Sequence, residues 1–217
     1  MRFKPFSHKE AALDPSTREE ILNVAQKVFA LTGFKEATVR QICKAAKANV
    51  CLISYYFGGK DGLYKAIFER VGQSRWELVQ NQLGDMTNIT SREEYYLRLK
   101  MFLENMYKEM SSKPDFFKLM HREMNEGMPR AEEVIKKFIG NCLGLFEEFL
   151  EYGKKKKFIK KEINCRFAGL AIINMYLGFI AQHATRPDFF FQEIPDEEIS
   201  QLIMKTITSI FFNGVTQ

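Results

Sequence analysis

Thr38 and Asn49 are both strong helix-start signals, and the chain between them has room for little more than two helical turns. Thr38, with Gln41 three residues on, forms a capping box: the hydroxyl accepts from the N3 amide and the Gln side chain reaches back. Asn49 is a favoured cap for a following helix. The intervening helix, about 39–46, carries Ile42, Ala45 and Ala46 on one face, small enough for close approach by a second helix. Only Lys47 and Ala48 then separate the two helices. Helices joined that tightly must cross steeply, which is the helix-turn-helix arrangement.

The second of these helices spans about 50–56. Val50, Ile53 and Phe57 fall at i, i+3 and i+7 and are expected to face the core, leaving Cys51, Leu52, Ser54, Tyr55 and part of Tyr56 outward. That surface is unusual for a solvated face. It suits a helix in a DNA major groove, where apolar atoms meet thymine methyls and hydroxyls meet bases or phosphates. Packing on a neighbouring domain is the plainer alternative. Residues 1–75 hold 13 Lys/Arg against 7 Asp/Glu, whereas residues 76–217 hold 19 against 20. A basic first third points to a polyanionic partner, although short windows vary by chance.

Everything else reads at helical period. Ser16-Thr17-Arg18-Glu19 is a capping box ahead of Ile21, Val24, Ala25, Val28 and Phe29, with Gly33 as the stop, so a helix is expected over 16–32. Gly58-Gly59 breaks the recognition-type helix and Lys60 opens a long one over 60–83. Ser91 caps a helix to about Met110, Pro114 starts one to about Asn125, and further helices span about 130–153, 162–185 and 196–213. The expected fold is all-α: a three-helix head containing the helix-turn-helix, then a helical body, about nine helices in all. The expected divisions are a basic arm 1–15, a head 16–62 and a body 63–217. No strand-period segment, repeat or low-complexity tract is evident.

At 46% apolar and 27% charged residues, a real core is within reach. No unbroken run of about 18 apolar residues exists, and the polar N-terminus lacks an apolar signal region, so neither a membrane span nor secretion is expected. Cys43, Cys51, Cys142 and Cys165 have no metal-ligand spacing, which fits a reducing cytoplasm and no metal or cofactor. The lysine run 154–157 with Lys160 and Lys161 could form a second nucleic-acid site, but cations at a helix C-terminus explain it more simply.

The pattern Gly33-Phe34, Ala37-Thr38-Val39-Arg40-Gln41-Ile42, Asn49, Ile53, Tyr55-Tyr56-Phe57 and Gly59-Lys60-Asp61-Gly62-Leu63-Tyr64 resembles the TetR/AcrR family of one-component bacterial regulators. The resemblance is clearest over 16–70. A looser likeness to one C-terminal type of that family runs from His121-Arg122-Glu123-Met124 through Pro129 to Leu150. It implies a DNA-binding head and a body that dimerises through its last two helices and takes a small-molecule inducer. By that likeness Arg40, Leu52, Ser54 and Tyr56 fall on DNA-contact positions and Lys60 on a phosphate contact; Asn49 and Tyr55 belong to the same surface. The family often has Gly where this chain has Lys47, so a strained or reshaped turn is expected. Leu52 and Ser54 also depart from commoner residues, so operator preference is not carried over.

The expected dimer contacts are Gly169, Ile173, Gly178, Ala181, Ile203, Ile207 and Ile210, on two late helices rich in small and apolar residues. The expected pocket residues are Phe116, Phe117, Met120, His121, Met124, Phe138, Phe146, Met175, Tyr176 and Phe179. Many of these would equally serve as plain core. Abundant Met and Phe favour an apolar or aromatic ligand. The expected function is a cytoplasmic dimeric repressor of a pseudo-palindromic double-stranded operator, not an enzyme and not membrane-bound. The rival readings are a helical protein-binding adaptor and an all-α enzyme, the latter without any nucleophile, base, phosphate cradle or metal motif.

Overall fold

The computed structural model describes residues 15–185 and 187–215. The expected arm 1–15 lies, but for Pro15, outside these. Ten helices and no strand occur among the described residues: α1 Pro15–Glu36, α2 Val39–Ala45, α3 Val50–Phe57, α4 Lys60–Leu83, α5 Arg92–Ser111, α6 Pro114–Asn125, α7 Glu132–Lys155, α8 Cys165–Thr185, α9 Pro187–Phe190 and α10 Asp196–Val215. The chain divides after Ile67 into two compact units.

In the first unit, α1 already includes Pro15, so Ser16 and Glu19 lie inside its first turn rather than ahead of it. Proline is tolerated at a helix start because its missing N–H would have had no partner there. Gly33 breaks the helical path with φ 83 and ψ 168, which is the expected stop, although one more turn follows. Ile21, Leu22, Ala25 and Phe29 are buried on one face of α1. Phe29 and Phe34 both meet Tyr64 edge-on, each with ring centroids 5.1 Å apart. Ile42, Cys43 and Ile53 complete the core from α2 and α3. Val50, expected to face inward, is 45% exposed; as the first residue of α3 it precedes the turn that packs, and Ile53 alone is buried there.

The second unit is built on α5, α7, α8 and α10. Ser91 Oγ accepts from Glu94 N at 3.1 Å, while the Glu94 carboxylate takes the amide of Thr90 at 2.9 Å, so the expected box closes one residue early. Tyr95 stacks on Phe149 with centroids 4.7 Å apart and donates to the Phe149 carbonyl at 3.1 Å. Gly153 admits this ring; a Cβ there would overlap Tyr95. Tyr176 on α8 and Thr208 on α10 share a buried hydrogen bond of 3.1 Å. Burial holds the Tyr176 phenol up at about 12, with its Thr208 bond acting in the opposite direction.

Glu123, a charged side chain only 1% exposed, explains the α6–α7 corner. Its Oε1 accepts from the amides of Arg130 and Ala131 at 2.7 and 2.9 Å, supplying partners at the start of α7 that no α7 side chain provides. The lysine run after α7 is partly structural: Lys154 Nζ donates to the Ile163 carbonyl, and Lys160 Nζ to the carbonyls of Asn213 and Gly214 near the end of α10. Over Cys165–His183, α8 is long and apolar enough to cross a membrane by length and mean hydropathy (1.3), despite Arg166 and Asn174 interrupting it. It packs against α7 and α10.

Candidate functional site

Two features stand out, one in each unit. The first is the α2–α3 pair. Thr38 caps α2 with both halves of its box, Gln41 N donating to Thr38 Oγ1 at 3.2 Å and Thr38 N to Gln41 Oε1 at 2.8 Å. Asn49 Oδ1 accepts from Cys51 N at 2.9 Å and so starts α3. Between them Lys47 adopts φ 51, the left-handed region. The left-handed residue that a tight turn needs is therefore a lysine, held there by Ala48 N donating to the Cys43 carbonyl at 2.9 Å. Gly58, φ 70, ends α3. A Cβ at Gly62 would overlap the Phe57 carbonyl, so the end of α3 lies tight against the first turn of α4.

On this frame Arg40, Asn49, Cys51, Ser54 and Tyr55 are exposed, while Leu52, Tyr56 and Lys60 are half-buried. Tyr55 is 66% exposed and meets Tyr56 edge-on at 5.4 Å. Lys60 is not waiting in solvent. Its ammonium donates to the Lys35 carbonyl at 3.3 Å and lies 4.4 Å from the centre of the Phe34 ring.

The second feature is a cavity of about 220 Å³ inside the body, walled by α4 to α8. Phe116, Met120, Met124 and Phe138 line it, as expected. The other expected residues do not. Phe117, Phe146 and Tyr176 are buried in the core, and Met175 packs against that core. Phe179 turns toward Phe191, and exposed His121 pairs with Asn125 at 3.1 Å. The reason is angular: a helix apolar over a broad arc presents only a narrow part of it to any one cavity. Arg75 and Glu109 also border the cavity and escaped the sequence reading. Arg75 Nε donates to Glu109 Oε2 at 2.9 Å, and Lys113 Nζ lies 2.7 Å from Glu109 Oε1. The one hint in sequence was the Glu109–Lys113 spacing, which usually marks a solvated helix face. Gly72 leaves room for Phe138; a Cβ there would come within 2.5 Å of that ring.

The residues expected at a dimer face separate into two sets. Gly169 is buried against Phe146, and Ile203 and Ile207 sit in the core of their own chain, so none of these three is presented outward. Ile173 lines the cavity and Ala181 packs on the core. Gly178 faces open space and Ile210 is 55% exposed. Phe167, Phe179 and Leu202 are also exposed on α8 and α10.

Residues 21–67 match the signature of bacterial regulatory proteins, tetR family. Along 201 residues the chain is 24% identical to the HTH-type transcriptional repressor NicS of Pseudomonas putida, covering 92% of each chain. The fold is similar to that of the fatty acid degradation regulator FadR from Bacillus halodurans, with TM-score 0.71, 19% identity and coverage of 90% of this chain and 98% of that one. It is also similar to FadR from Bacillus subtilis in complex with stearoyl-CoA, with TM-score 0.70, 15% identity and the same coverage. The capped helix-turn-helix thus lies within the segment that carries the tetR-family signature, in an all-helical chain that is similar over nearly its full length to a transcriptional repressor.

Proposed function

We propose that the chain is a homodimeric transcriptional repressor that grips a pseudo-palindromic operator with α2 and α3 and lets go when a small apolar or aromatic molecule fills the body cavity. One observation carries the reading. A doubly capped helix-turn-helix with Ser54 and Tyr55 turned outward occurs in the same chain as an apolar cavity bordered by a few polar groups. Those are the output and the input of a one-component switch. The division of roles is a head of residues 16–62 and a body from residue 63 onward. Arg40, Asn49, Leu52, Ser54, Tyr55, Tyr56 and Lys60 form the DNA surface. A second copy covers Gly178, Ile210 and the exposed apolar residues near them through a two-fold contact, which sets two recognition helices about one turn of DNA apart. The ligand weakens DNA binding only by its differential affinity for the two body states. The setting is a bacterial cytoplasm, where the four free thiols stay reduced.

The test is to select bound fragments from the source genome with purified protein and to titrate salt by fluorescence anisotropy. Affinity is expected to fall steeply as salt rises, as counterion release requires. A flat salt response would favour the adaptor reading, in which Tyr55 and its neighbours meet a protein.

A further inference from the structure

The charged groups bordering the cavity are Arg75 and Glu109, and Lys113, outside the lining, shares the Glu109 carboxylate. Arg75 and Lys113 both lie on Glu109, two cations to one carboxylate. Lys113 and Arg75 each take one carboxylate oxygen. The Arg75 guanidinium offers five N–H donors and uses one, Nε, on Glu109; among the described residues its Nη groups have no hydrogen-bond partner. The guanidinium is otherwise placed by the Phe116 ring, whose centre lies 5.2 Å from Cζ. The rest of the lining is Leu, Val, Ile, Met and Phe, apart from Gly72, Cys142 and Asn174. Asn174 spends its amide nitrogen on the Leu170 carbonyl at 2.8 Å. A neutral apolar ligand would offer the Nη donors no acceptor, and an ammonium ligand would be repelled by Arg75.

Size narrows the class further. An apolar cavity of about 150 Å³ holds benzene, so about 220 Å³ takes a ligand of about nine or ten non-hydrogen atoms.

Resting on the reading of this cavity as the effector site, we propose that its ligand is a small amphipathic carboxylate, with an apolar body among Met120, Ile135 and Phe138 and its carboxylate on Arg75. The acid takes the free edge of the guanidinium and competes with Glu109 for it.

Octanoate has the required size, and octanamide and octylamine share its chain while changing only the head. Binding of all three is followed by Trp76 fluorescence, since the chain's one tryptophan is half-buried next to Arg75 on α4, and release of operator DNA by anisotropy. Octanoate is expected to bind at least about tenfold more tightly than octanamide and to be the better releaser, with octylamine weakest. Arg75→Gln should shrink the acid-over-amide preference to within about twofold. Glu109→Gln, which frees Arg75, should enlarge it, a direction that a damaged fold does not produce. Equal binding of acid and amide with DNA release overturns the carboxylate class and leaves the effector site standing. Tighter binding of the amine does the same. Absence of binding and release by all three overturns both.

Discussion

Lys47→Gly tests whether the turn between α2 and α3 stores strain. Lys47 sits at φ 51, where a Cβ crowds the backbone carbonyl at a cost of about 1–2 kcal/mol. Glycine removes that penalty but gains freedom in the unfolded chain, which takes back about 0.5–1 kcal/mol. The net expectation is a stabilisation of about 0.5–1 kcal/mol. For a chain of this length that raises the thermal midpoint by about 1–4 °C, measured at fixed protein concentration. Lys47→Ala is the control, because it deletes the same charge and keeps a Cβ in the same conformation. Hydrogen exchange localises the effect: the amides of α2 and α3 should exchange about two- to fivefold more slowly in the glycine variant. The turn bond from Ala48 N to the Cys43 carbonyl survives in both variants, so it cannot account for a difference between them. If the glycine variant is no more stable than the alanine variant, the turn carries no strain and the reasoning fails.

Four other outcomes are expected. Glu123→Ala strands the amides of Arg130 and Ala131 and should lower stability by about 3 kcal/mol in urea denaturation, with Glu123→Gln losing less; a loss under 1 kcal/mol would remove Glu123 as the cap of α7. Arg40→Ala should flatten the salt slope of operator binding by about one unit, and an unchanged slope takes Arg40 off phosphate. Gly178→Asp should yield monomers by light scattering if α8 meets its counterpart, whereas a variant still dimeric moves the interface elsewhere. Burial pushes the Cys142 thiol up to about 11, and burial followed by the Glu151 contact pushes Cys165 up to about 12, from an ordinary 9.0. The unfolded chain therefore ionises first: this contribution to stability is whole below pH 9 and is lost as pH rises through 11 to 12. The urea midpoint should fall from pH 8 to pH 10, and less so in a Cys142→Ala/Cys165→Ala double variant; equal falls would refute the assignment.

Local signals were readable because they act over a few residues. Thr38 with Gln41, Asn49, Pro114 and the Gly58-Gly59 break each specify backbone geometry with partners close by in sequence, and the helices they bound lie where expected. The strain expected at Lys47 came from the resemblance to a family that often has Gly there, rather than from a local signal; its left-handed φ of 51 fits that expectation. Ser16 misled because Pro15 can itself open a helix. α9 escaped because a single turn inside a Phe-rich loop carries no period. The cavity was only half readable. Period shows that Phe116, Phe117, Met120 and Met124 share one side of α6, but the headings of α4, α5, α7 and α8 decide which of them meet empty space. Arg75 and Glu109 were invisible because their partnership spans 34 residues and each looks solvated on its own helix. Ile203 and Ile207 show the same gap at the surface: apolar spacing marks them for burial without saying whether the chain itself or a second copy supplies the cover.

The hold that Lys35 and Phe34 keep on Lys60 changes what that lysine would contribute to the proposed DNA surface. A lysine reaching into water has only hydration to give up. Lys60 must also abandon a carbonyl beyond the Gly33 break and the face of an aromatic ring, so its resting state is already a bound one. A lone phosphate drifting past gains too little to pull it away. A phosphate pinned by the rest of the interface can, because its neighbours have already met the cost of bringing it there. On the proposed DNA surface Lys60 would thus act as a late contact, one that registers a correctly seated duplex and adds little to chance encounters with other polyanions.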